Sequence, residues 1–92
     1  MTGGAAEGVG PVLDAGEVGR AILAAIRALN EGVRVDDRGA YLRVLVAGAC
    51  RVTRAAIEEK LGRSFRLPQD LEREMPSFKG RFSVDEEEAR WT

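Results

Sequence analysis

Apolar and polar positions alternate along the middle of the chain, and the stretch from Val33 to Gly62 organises the rest. Val33 and Val35 alternate with polar neighbours, the period of a half-buried strand. Asp36-Asp37-Arg38-Gly39 is a turn cluster. Leu42, Val44 and Val46 then fall on one face of a second strand, with Tyr41, Arg43 and Leu45 on the other. Ala47-Gly48-Ala49 turns the chain again, and Cys50 to Val52 returns as a short strand. Thr53 is a good N-cap, Ile57 and Leu61 share one helix face, and Gly62 suits a left-handed C-terminal stop. No obvious catalytic group falls in this block, which is therefore predicted to scaffold a surface.

The flanks extend the same alternation of periods. Val9 to Leu13 is a candidate first strand, placed at an edge by Pro11. Asp14 and Glu17 have the spacing of a capping box and predict a helix from about Ala15 to Asn30. Val18, Ile22, Ile26 and Leu29 form its continuous apolar face, worth roughly 1.5–3 kcal/mol per side chain before entropy is subtracted. Arg20, Ala24, Arg27 and Glu31 lie on another face. Phe65 and Leu67 are expected to cap the second helix. Asp70 to Met75 fits either a strand or a helix, with Pro76 interrupting both. From Phe78 to Val84 the alternation predicts one strand, with Phe78, Gly80, Phe82 and Val84 inward and Ser77, Lys79, Arg81 and Ser83 outward. Gly80 inside it signals a bulge or the close approach of another backbone. Asp85-Glu86-Glu87 is a turn, and Glu88 to Thr92 forms a last strand with Ala89 and Trp91 inward. The element order is thus roughly β-α-β-β-β-α-β-β.

Composition narrows the function classes. A chain of 92 residues is a single domain by length, with a small core and little room for a deep substrate cavity. Residues 1–8 read as a flexible tail ahead of a domain over 9–92. Their glycines lack the Gly-Lys-Ser/Thr that a phosphate loop needs. The net charge of -1 speaks against nucleic acid and against a polybasic membrane patch. The absence of histidine removes the commonest general base and metal ligand. One cysteine forbids an internal disulfide or a multi-cysteine metal site; Cys50 is expected to be a packing residue in a reducing cytoplasm. The first ten residues lack the basic and apolar regions of a secretory signal, and the apolar run from Ala21 to Ile26 is far short of a membrane span.

Three segments in order carry a resemblance. They are Val33-Arg34-Val35-Asp36-Asp37-Arg38 followed by Ala40-Tyr41; Glu58-Glu59-Lys60-Leu61-Gly62-Arg63-Ser64-Phe65; and Ser77-Phe78-Lys79-Gly80-Arg81. Together they resemble the effector (coupling or regulatory) proteins of soluble bacterial multicomponent diiron monooxygenases, over about Val9 to Trp91. The Gly10-Pro11-Val12 start looks most like the toluene, or aromatic, branch. The chain departs from the pattern at Leu67-Pro68-Gln69-Asp70, where an extra residue falls, and at the charged Arg73 and Glu74. These departures leave the register of Asp70 to Met75 open. The resemblance implies a compact α+β fold of two helices packed on antiparallel strands, with no cofactor and no catalysis by this chain. Its partner would be the diiron hydroxylase component, bound near the active-site entrance, with competition against the electron-transfer component as a corollary. The effector would reshape that active site and couple electron delivery and oxygen activation to hydroxylation of an aromatic hydrocarbon.

On the resemblance, Met75, Pro76, Ser77, Phe78 and Lys79 align with the segment that lies over the hydroxylase entrance, and outward Lys79 and Arg81 suit a partner's carboxylates. Arg54 is a second candidate: a cation in a first helical turn breaks the helix-dipole rule unless Glu58 pairs with it. Asp37 and Arg38 are a third, set against a local turn salt bridge. The tail before Val9 is a further candidate for ordering on the partner. Two rival readings are a generic α+β adaptor and a helix-turn-helix DNA-binding module. Thr53 to Ser64 looks like the first helix and turn of the latter, but Phe65-Arg66-Leu67-Pro68 breaks the recognition helix that should follow. Glu58, Glu59, Asp36 and Asp37 are sequence neighbours that would not converge on one substrate.

Overall fold

The structure, a computed structural model, describes residues 8–92, so the tail expected at 1–8 lies, apart from Gly8, outside the described residues. The elements are β1 (Gly10–Asp14), α1 (Glu17–Leu29), β2 (Arg34–Asp37), β3 (Tyr41–Leu45), β4 (Cys50–Thr53), α2 (Arg54–Leu61), α3 (Gln69–Glu74), β5 (Ser77–Lys79), β6 (Phe82–Val84) and β7 (Glu88–Trp91). This is an α+β fold with two antiparallel sheets. The larger has strand order β2-β3-β1-β5 and the smaller β4-β7-β6.

The predicted alternation sets the faces of the larger sheet. Leu42 and Val44 are buried in β3, while Tyr41 and Arg43 are exposed. Leu13 pairs with Leu42, and Val35 with Val44, which puts these side chains on one inner face. The smaller sheet supplies Cys50, Val52, Ala89 and Trp91, all essentially inaccessible. Helix α1 packs against α2, β4 and β1 and fills the space between the sheets with Ile22, Ala25 and Ile26. Its buried face is centred one residue away from the expected stripe, since Ala21 and Ala25 are buried and Leu29 is only half-buried. Gly19 makes the fit to β1 possible, because a Cβ there would collide with the Asp14 carbonyl oxygen.

The helix ends were partly legible. Thr53 caps α2 as expected, its Oγ1 accepting the Ala56 N–H at 3.1 Å, and Gly62 ends it at φ 82° with its N–H on the Glu58 carbonyl at 2.8 Å. The capping box at Asp14 does not form. Asp14 is the last residue of β1, paired with Tyr41, so α1 starts later from Gly16 without a side-chain cap. Asn30 does more than stop α1. Its amide donates to the carbonyls of Ile26 at 2.7 Å and Arg51 at 2.8 Å, and its Oδ1 accepts the Arg51 N–H at 3.1 Å. One side chain thus ties the helix to the open edge of β4.

Further expectations are decided by the tertiary structure, and β1, expected at an edge because of Pro11, instead lies between β3 and β5. Asp70 to Met75, open between strand and helix, contains a third helix rather than a strand. Leu71 and Met75, four apart, are both buried, and the Asp70 carboxylate accepts the Arg66 N–H at 2.8 Å and pairs with its guanidinium at 3.0 Å. Those bonds hold the Asp70 carboxyl below the usual carboxylate range. The single strand expected from Phe78 to Val84 is two strands in different sheets. The break is at Gly80, whose φ of 101° turns the chain from the larger sheet to the smaller. A Cβ at Gly80 would lie 2.7 Å from Val9 Cγ1 and 2.9 Å from the Thr92 carbonyl oxygen, so the close approach expected there is real. Across this corner Phe78 packs on Phe82 at 5.4 Å between ring centroids, and Phe82 on Trp91 at 5.3 Å. The Trp91 Nε1 is buried with no hydrogen-bond partner among the described residues.

Replacing Gly80 with alanine should therefore lower stability by roughly 1–3 kcal/mol, since the side chain meets both a forbidden φ and two neighbours. A urea titration reads this as a lower midpoint at unchanged slope; an unmoved midpoint would show that the corner has room for a methyl group.

Candidate partner-docking surface

The sequence-predicted candidates divide among three places. Among the described residues strand β5 is an edge of the larger sheet, bonded to β1 on one side only. Pro76, Ser77 and Phe78 are exposed around it and Lys79 is half-buried. Phe78, expected inward, is 43% exposed, because its position opposite Pro11 lies at the sheet edge and its ring rests on Phe82 rather than in the core. Met75 is a core residue at 9% exposure and offers a partner almost no side-chain surface. Arg81, expected on one strand face with Ser77 and Lys79, is exposed beyond the Gly80 corner; its backbone exchanges hydrogen bonds with Thr92 at 2.8 and 2.9 Å in line with the smaller sheet.

Asp37 and Arg38 sit at the opposite edge of the larger sheet, three strand spacings or roughly 14 Å from β5. Asp37 accepts the Gly39 N–H at 2.9 Å and lies 3.6 Å from the Arg20 guanidinium. Arg38 turns to Asp36 at 2.8 Å, and that hydrogen bond raises its already high pKa. The local turn salt bridge is present, but its acid is Asp36.

Arg54 lies in neither place. Its Nη2 reaches both carboxylate oxygens of Glu87 at 3.0 Å, its Nη1 reaches Glu58 at 3.3 Å, and its Nε donates to the Glu86 carbonyl at 3.2 Å. Glu87 is the main cause of the raised guanidinium pKa, with Glu58 adding to it. The unfavourable place in the first turn of α2 is thus compensated by Glu58 one turn on and by the Glu87 carboxylate of the β6–β7 turn. Glu58 in addition accepts the Phe65 N–H at 2.9 Å, so one carboxylate joins α2, Arg54 and the segment that covers the helix end. Arg54 and Glu58 border a polar cavity of about 330 Å3 with Arg66, Glu86 and Glu87.

A second cavity, of about 280 Å3, opens on the outer face of the larger sheet. It is lined by Gly10, Val12, Tyr41, Arg43, Leu45, Ser77, Phe78 and Lys79. Tyr41, Arg43 and Leu45 were not among the predicted site residues. The available signal was that two large apolar side chains fall on the face of β3 that alternation assigns to solvent.

Metal-binding groups do not converge among the described residues. No cluster of three or more His, Cys, Asp or Glu could hold a metal ion. The Cys50 thiol is buried, and burial pushes its pKa up to about 12, which keeps it protonated and unreactive. Helix α3, which follows the turn after α2, spans only six residues, buries Leu71 and carries Asp70, Glu72 and Glu74 against Arg73. That is the wrong sign for a DNA-recognition helix. Among the described residues no helix is long and apolar enough to cross a membrane.

Comparison with known proteins bears on what surfaces of this kind do. Residues 7–92 match the MmoB/DmpM family. The chain is 49% identical over 85 residues to an alkene monooxygenase system effector subunit from Xanthobacter autotrophicus Py2, covering 90% of this chain and 83% of that one. Its fold is similar to a chain in the structure of a phenol hydroxylase–regulatory protein complex, with a TM-score of 0.78 at 21% identity, covering 88% of this chain and 92% of that one.

The Arg54 network carries its own test. Glu58→Ala should cost about 1 kcal/mol, because it strands the Phe65 N–H as well as loosening Arg54. Glu87→Ala, at a side chain 70% exposed, should cost less. Chemical denaturation of the two variants gives the order directly, and equal losses would mean that the Phe65 bond contributes nothing.

Proposed function

The chain belongs to the MmoB/DmpM family, and from that premise we propose that it is the effector subunit of a multicomponent monooxygenase. It is a regulatory component rather than a catalytic one. The carrying observation is 49% identity, over 90% of the chain, to an effector subunit. Its partner is the hydroxylase component. It binds there near the active-site entrance, reshapes the site, and couples electron delivery and oxygen activation to hydroxylation of a small hydrocarbon. The similar effector subunit serves an alkene system, while the Gly10-Pro11-Val12 start favours the aromatic branch, so the substrate class we propose is the unsaturated hydrocarbon common to both. Competition with the electron-transfer component follows if the two share part of the hydroxylase surface. A cytoplasmic setting suits the one buried, unpaired thiol.

A protein without chemistry of its own changes a partner's rate only through differential affinity for two partner states. Moving that partner from 1:99 to 99:1 takes about 5.5 kcal/mol of preference. A micromolar complex holds about 8.2 kcal/mol in total. The mechanism therefore needs most of the binding energy to be conditional on one hydroxylase shape. An interface of about 1,200–2,000 Å2 over both partners is the expected size.

Reconstitution tests this. Hydroxylase with its electron donors should form product faster, and with more product per electron, when the chain is added; equal rate and equal coupling without it would end the proposal. The double variant Lys79→Glu, Arg81→Glu should keep the far-UV circular dichroism of the parent and lose several-fold of the activation. Full activation by that variant would remove the two cations from the interface.

A further inference from the structure

Among the described residues two large hydrophobic side chains are exposed, Tyr41 at 41% and Phe78 at 43%; Tyr41 stands on the outer face of the larger sheet over a cavity, and Phe78 borders that cavity as part of the β5 edge. Single exposed apolar residues are ordinary, but an exposed aromatic ring over a concavity with an apolar floor is not. Val12 and Leu45, half-buried, supply that floor. The cavity has a charge as well. Among the described residues Arg43 and Lys79 line it and no carboxylate does, although the chain as a whole is at -1. Asp36, directly across β2 from Arg43, is committed to Arg38 at 2.8 Å. Arg43 is left with no ion pair among the described residues.

We propose that this groove is the main docking surface for the hydroxylase component, and that it receives a carboxylate-bearing segment flanked by apolar side chains, with Tyr41 and Arg43 as the principal anchors. The inference rests on the effector reading above and extends it from the β5 edge to the centre of the sheet. Aromatic and arginine side chains dominate the energetics of protein interfaces when they enter desolvated pockets. A carboxylate that meets Arg43 gains a charge-assisted bond without displacing an existing one. The anchors stand on β3, hydrogen-bonded on both sides by β2 and β1, so little ordering is required on binding. Strand β5, at Ser77 to Lys79, bounds the groove on its other side, and the Phe78 ring packs behind that strand on Phe82 at 5.4 Å.

The test is a calorimetric titration of the purified hydroxylase component with the full chain and its variants, alongside product formation. Arg43→Glu and Tyr41→Ala should each weaken binding by at least about tenfold, as central interface anchors do. Arg43→Lys should fall between the parent and Arg43→Glu, because the charge is kept while the planar guanidinium fork is lost. Arg27→Glu, the same charge change on the exposed side of α1, should stay within about twofold. Raising the salt should weaken the parent more steeply than Arg43→Glu. Both anchors are exposed, and circular dichroism with Trp91 emission verifies that each variant is folded. If the parent binds and activates while Arg43→Glu and Tyr41→Ala bind equally well, the groove assignment falls and the effector reading stands. If the parent neither binds nor activates, the effector reading falls and the groove assignment with it.

Discussion

The passage of Gly80 between Val9 and Thr92 is the constraint on which the rest of the architecture depends. At this point the chain leaves the four-stranded sheet and enters the three-stranded one. A small domain has little apolar surface to spare for two separate cores. Brought together at this corner, the inner faces of the two sheets and the helices share one continuous core from Leu13 and Val44 to Val52 and Trp91. The same corner separates β5 from β6. It leaves β5 as a short open edge and sets Phe78, Phe82 and Trp91 in a row that runs from solvent to the interior.

Polar side chains close the seams that apolar packing leaves. Asn30 satisfies the end of α1 and the open edge of β4 together. Glu58 and Arg54 join α2 to the segment after it and to the β6–β7 turn. These bonds link elements distant in sequence, so each fixes the placement of two pieces of backbone. They contribute position more than energy, since the arginine–carboxylate pairs are partly exposed. The buried indole N–H of Trp91, without a partner among the described residues, departs from this economy; its desolvation would cost about 1–3 kcal/mol, to be offset by the packing of the ring.

The distribution of surface is what bears on function. The described residues bring no metal-holding cluster together, and the one thiol is held protonated in the core. They present instead a rigid sheet with apolar side chains and cations on the face away from the helices. A surface of that kind can hold one shape of a partner in preference to another, which is what regulation by a non-catalytic subunit requires.

Local spacing alone determined a good deal of this protein. The two-residue period of Leu42, Val44 and Val46, the Thr53 cap, the Gly62 stop and the helical face through Ile22 and Ile26 all express backbone geometry, which acts within a few residues and is written in order along the chain. The ordered segments around Val33, Glu58 and Ser77 were sufficient for the family. Tertiary structure decided what depends on distant partners. Asp14 lost its capping role because Tyr41 claimed it for a strand. Leu71 and Met75 became a helix face because the core lay on that side. Phe78 to Val84 split because Val9 and Thr92 meet at Gly80. Arg54 found Glu87 thirty-three residues away. The groove of Tyr41, Arg43 and Phe78 could not be read from spacing, since it exists only where β3, β1 and β5 lie side by side, and no local period records which strands become neighbours.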